Sequence, residues 1–122
     1  MNRAEIRKKT RAAANNLVAE KGYVSPVDLF IKMKVISPQN YQDWRMGRIA
    51  CLERVTTGGL GKLNTILKEL RDYARSQGWY PSKTVYNKWG KGRKIRLRFS
   101  KSGRPNLEEI YSTHYVKKGL IN

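Results

Sequence analysis

The sequence predicts an α+β protein, mainly helical, with four to five helices and one basic antiparallel β-hairpin. Three observations carry this. Residues 3–20 and 60–77 repeat apolar side chains at helical spacing. Two Ser-Pro pairs, twelve residues apart, have the form of helix starts. Ile95, Leu97 and Phe99 alternate with Lys94, Arg96 and Arg98, the period of a half-buried strand. A chain of 122 residues makes residues 1–116 one domain, divided into a helical region over 1–78, the hairpin 84–99 and a short last helix 107–115. Residues 117–122 are expected to form a frayed tail.

In the first helix Ile6, Ala13 or Ala14, Leu17 and Val18 form the apolar stripe, and Gly22 ends it. Arg3, Arg7, Lys8, Lys9 and Arg11 occupy its polar side, either as a solvated face or as an arm along a phosphate backbone. Ser25-Pro26 and Ser37-Pro38 begin two short helices, with Val35 and Ile36 closing the turn between them. Trp44 reads as core, with Asp43 pairing an Arg; in the functional alternative Arg45 and Arg48, three apart, share a face against phosphates.

The helix over 60–77 buries Leu60, Leu63, Ile66, Leu67, Leu70 and Ala74, with Thr56 or Thr57 as cap and Gly78 at its end. Lys62, near its N-terminus, is a candidate phosphate ligand because free backbone N–H groups there already attract anions. Gly58-Gly59-Leu60-Gly61-Lys62 is not a nucleotide-binding P-loop. It lacks the four-residue spacer, and Leu63 stands where Ser or Thr would hold magnesium. Asn106 and Glu109 have capping-box spacing for the last helix, which packs Leu107, Ile110 and Tyr111 inward.

Net charge is +17, and residues 80–122 hold eleven of the 26 cations but only two of the nine acids. Residues 73–107 contain no Asp or Glu at all. Cations hold phosphates and aromatic rings hold bases, so this stretch suits nucleic acid. The hairpin is expected to close with a three-residue turn at Gly90-Lys91-Gly92, pairing Trp89 with Arg93, Asn87 with Ile95 and Val85 with Leu97. That register gathers Val85, Trp89, Ile95, Leu97 and Phe99 on one face, and Tyr86 and Lys88 with Lys94, Arg96 and Arg98 on the other. A four-residue loop would scatter the apolar set among the cations. The expected phosphate ligands are Lys88, Lys91, Arg93, Lys94, Arg96, Arg98, Lys101 and Arg104, with Tyr86 available to stack.

From the helices through Asn64-Thr65-Ile66-Leu67-Lys68-Glu69-Leu70-Arg71 and Gly78 into a basic hairpin, the order of elements over residues 37–99 resembles winged helix-turn-helix nucleic-acid-binding domains. The resemblance implies helix 60–77 in a major groove and the hairpin, as wing, on the backbone or minor groove. The connection from Arg48 to Leu60 is longer than the family's turn.

The expectation is a non-catalytic nucleic-acid-binding protein, duplex DNA ahead of RNA. The alternatives are a structured-RNA binder, a metal-independent ribonuclease using His114 with nearby cations, and a basic protein docking on an acidic or nucleic-acid-binding site of another protein. No cofactor, metal, membrane or small-molecule substrate is expected, since the acids show no metal-site pattern and no apolar run has the length of a span. Cys51 is alone, which removes an internal disulfide and a cysteine metal cage and reads as a small core residue. With no hydrophobic signal core behind the basic N-terminus, the chain reads as cytoplasmic.

Overall fold

The computed structural model describes residues 2–118. Helix α1 (Arg3–Lys21) starts at Asn2, whose side chain accepts from the Glu5 N–H, and ends at Gly22 with φ 83°. It lies along α4 (Gly59–Gln77). Their buried stripes, Ile6, Ala13, Ala14, Leu17 and Val18 with Leu63, Ile66, Leu67, Leu70 and Ala74, form the centre of the core. Two contacts tie the helices at the surface: Arg11 to Glu69 at 2.9 Å and Asn15 Nδ2 to Tyr73 Oη at 2.8 Å.

Both Ser-Pro pairs cap helices as the sequence predicts. Ser25 Oγ accepts from the Asp28 N–H before α2 (Pro26–Lys32), and Ser37 Oγ accepts from the Asn40 N–H before α3 (Pro38–Arg45). Each hydroxyl satisfies a backbone donor that the first turn leaves without a partner. Val35 and Ile36 are buried between the two helices, Trp44 is fully buried, and so is Cys51. A 3-10 turn (Leu52–Val55) leads on to α4.

The capping of α4 differs from expectation. Its N-cap is Gly58, at φ 92°, with no side-chain cap bond. Thr56 Oγ1 instead donates to the Glu53 carbonyl and Thr57 Oγ1 to that of Val35. Leu60, placed at the head of the buried stripe by its spacing, is exposed.

A three-stranded antiparallel sheet in the order β1-β3-β2 completes the fold: β1 (Tyr23–Val24), β2 (Tyr80–Lys83) and β3 (Thr113–Val116). Pro81 lies on edge strand β2, where a missing N–H is tolerated. The last helix is displaced from the predicted 107–115. Helix α5 is Pro105–Ser112, with Pro105 at its first position and no side-chain cap. Asn106 and Glu109 therefore form no capping box. Thr113-His114-Tyr115-Val116 leave the helix because this β-prone run is claimed by strands on both sides. Tyr111 is buried and Leu107 packs on the core, but Ile110 is exposed on the outer side of α5. Lys117 N–H donates to the Gly22 carbonyl at 3.0 Å, so the chain is tied there; residues 119–122 of the expected tail lie outside the described residues.

Residues 84–99, the predicted hairpin, form an irregular ribbon with one β-bridge, Asn87 to Arg96, and belong to none of the three strands. The register is that of the four-residue loop, not of the expected three-residue turn. Lys88 N–H donates to the Ile95 carbonyl and Leu97 N–H to that of Tyr86, both at 2.8 Å. This leaves residues 90–93 as the loop, with Gly90 and Gly92 both at positive φ. Val85 and Trp89 thus join the cationic face, Ile95 is exposed and not in the core as predicted, and Tyr86 turns inward with Leu97 and Phe99. Tyr86 decides the register. Its ring lies 5.6 Å from Trp44 and 5.4 Å from Phe99, and its hydroxyl shares a 3.0 Å hydrogen bond with His114 Nε2. An aromatic ring that buries its body and satisfies its hydroxyl outweighs a neat alternation of smaller groups.

Candidate nucleic-acid interface

Two acids fix the base of the ribbon. Glu108, on α5, accepts from Phe99 N–H (2.8 Å), Ser100 N–H (2.7 Å) and Ser100 Oγ (2.6 Å). Glu53, which is buried, accepts from Lys101 N–H at 2.7 Å and from Tyr111 Oη at 2.6 Å. Backbone bonds from Leu52 and Glu53 to the carbonyls of Arg98 and Phe99, and from Trp44 Nε1 to the Arg98 carbonyl at 2.9 Å, complete the clamp. Carboxylates bound to several N–H groups make strong, charge-assisted bonds. Among the described residues, no group of three or more His, Cys, Asp or Glu is arranged to hold a metal ion.

Beyond this clamp every residue from 88 to 96 is exposed. Lys88, Lys91, Arg93, Lys94 and Arg96 all lie on this projecting segment. None has a carboxylate within 4.0 Å among the described residues, and the same holds for Lys101 and Arg104 in the loop behind it. The bridge puts Arg96 opposite Asn87 and, in register, Lys94 opposite Trp89 and Arg98 opposite Val85. The Lys88 stem crosses Gly47, where an added Cβ would meet its Cδ and Cε at 3.0 Å.

Four expected ligands have other tasks or another location. Arg98 donates from Nε to the Ser100 carbonyl and from an Nη to the Lys101 carbonyl, closing its own loop. Arg48 pairs with Asp43 at 3.1 Å. Arg45 is covered by aromatic rings, its guanidinium 4.9 Å from the centre of Trp89 and 5.0 Å from that of Tyr86. Lys62 lines a separate cleft of about 420 Å³ with Lys9, Lys32 and Lys34. Tyr86, expected to stack on bases, is half-buried beneath the ribbon, and burial pushes its hydroxyl pKa well up. Sequence reasoning missed two residues. Arg54 joins Arg98 and Lys101 around a concavity of about 440 Å³ floored by Cys51, and no local pattern announces it. Trp89 is open to solvent, which only the register reveals.

His114 stands in β3, its ring stacked on Tyr23 at 5.3 Å and bonded to Tyr86. Burial lowers its pKa from 6.5. The unfolded chain therefore takes up a proton at His114 more readily than the folded one. Stability should fall as pH drops through about 6.5 toward the lower folded value, and this contribution should level off below it. Urea denaturation at about pH 7.5 and pH 5.5 should show that loss in the native protein and a flatter profile in His114→Gln.

Comparison of the chain with protein-family models, with curated proteins and with solved structures finds no match.

Proposed function

We propose that the chain is a non-catalytic nucleic-acid-binding protein that grips phosphates with the projecting ribbon and the loop behind it. One observation carries the reading: nine consecutive exposed residues, 88–96, hold five cations without a carboxylate partner on a clamped base. Like charges crowded onto one short segment repel one another, and a polyanion relieves the repulsion. His114 is engaged by Tyr23 and Tyr86, which argues for a packing role and against the ribonuclease alternative. The winged-helix reading would lay α4 in a duplex groove. Yet the ribbon's hydrogen bonds and ring contacts run to α3, the 3-10 turn, α5 and β3, so backbone contact by the ribbon itself is the better-supported mode. We also read the chain as cytoplasmic, a reducing compartment that suits its lone free cysteine, Cys51; no helix among the described residues is long and apolar enough to cross a membrane.

The test is affinity against salt for duplex DNA, single strands and hairpin RNA. Log affinity should fall linearly with log salt, by about 0.9 per neutralised phosphate on duplex DNA and about 0.7 on single strands. Absence of binding to all three at low salt would overturn the reading and favour an acidic protein as partner.

A further inference from the structure

We propose that Trp89, packed against Arg45, is a stacking platform for an unpaired nucleobase. This rests on the nucleic-acid reading and narrows it to strands with unstacked bases. Trp89 is 41% exposed, unusual for the largest apolar side chain. It is not loose, however. Its backbone N–H donates to the Arg45 carbonyl at 2.7 Å, Tyr41 meets its ring at a right angle at 5.8 Å, and the Arg45 guanidinium lies over the ring at 4.9 Å. Arg45 Nε is buried without a hydrogen-bond partner. Arg45 Nη1 donates to Tyr41 Oη at 3.3 Å, and the guanidinium plane lies between the rings of Tyr86 and Trp89.

The result is an indole held from below and from one edge while some of its surface stays open. Fixing a ring before the ligand arrives removes the ordering cost from binding. Lys94 stands across the ribbon from it, and Lys88, Lys91 and Arg93 flank it. An exposed aromatic with cations on its flanks and no acid within residues 73–107 matches a base between two phosphates. Duplex bases are already stacked on both faces, so the platform favours single strands and loops.

The experiment compares native protein, Trp89→Ala and Trp89→Phe on oligo(dT), oligo(U) and a DNA duplex at one salt concentration. Trp89→Ala should weaken both single strands by about 5- to 150-fold, the range of one base stack removed. It should leave the duplex within about twofold, and Trp89→Phe should retain most of the single-strand affinity. The two single strands separate DNA from RNA as the source of the base. Emission present in the native protein and missing from Trp89→Phe isolates Trp89 from buried Trp44 and half-buried Trp79, and oligo(dT) should quench it. Equal loss on strand and duplex, or no loss on either, overturns the platform. In the second case the phosphate reading survives if removing ribbon cations still weakens binding. A native protein that binds none of the three probes overturns both.

Discussion

Replacing Arg93, Lys94 and Arg96 together by alanine should weaken binding to every nucleic acid tested. On duplex DNA it should also reduce the salt slope by about 0.9 for each phosphate no longer neutralised. These three are the clean probes. Each is exposed, and none has a carboxylate partner among the described residues. Arg98 and Arg45 are unsuitable, since one closes a loop through two carbonyls and the other lies against three rings. Folding stability should stay within about 0.5 kcal/mol per site, and should rise slightly at low salt as like charges are removed. Titration across salt concentrations, with urea denaturation alongside, measures both. An unchanged slope with undiminished affinity would mean that the ribbon cations are idle.

Trp44→Ala should be the most damaging single substitution for stability, at about 3–5 kcal/mol, against a total of about 5–15 kcal/mol for a domain. Trp44 is fully buried among Tyr41, Tyr86 and Phe99, with ring separations of 6.3, 5.6 and 5.1 Å. Its Nε1 bonds the Arg98 carbonyl, so it joins α3 to the base of the ribbon. Trp44→Phe keeps a ring and loses that bond. Because the Arg98 carbonyl retains the Leu52 N–H at 3.2 Å, this change should cost only about 1–2 kcal/mol. Denaturant midpoints distinguish the two. A similar loss for both variants would assign the effect to the hydrogen bond and not to the packed volume.

Much of the helical framework is legible in the sequence because its causes are local. The α4 stripe from Leu63 to Ala74 and the caps at Ser25 and Ser37 depend on neighbours three or four residues away, and the structure has them at the predicted positions. Trp44 as core with Asp43 paired to an arginine is legible too. The ribbon is the weak point, because its register depends on side chains distant in sequence. Alternation favours Val85 and Trp89 inside, whereas Tyr86 has a place waiting between Trp44, Phe99 and His114. Strand β3 is hidden in the same way. Thr113 to Val116 continue a plausible helix until Tyr23 and Tyr80 bring two strands alongside.

By itself the sequence determined a mainly helical α+β chain, the Ser25 and Ser37 caps, most of the stripes on the two long helices, and an acid-free basic segment over residues 73–107. These follow from short-range periodicity and from charge, which needs no coordinates. Only the tertiary structure decided which ring of the ribbon turns inward and which is open, and that Glu53 and Glu108 clamp backbone. It also decided that Arg45 lies under Trp89. The physical reason is that a one-residue slip in a ribbon exchanges its faces, and the choice between the two depends on what the rest of the chain packs against it.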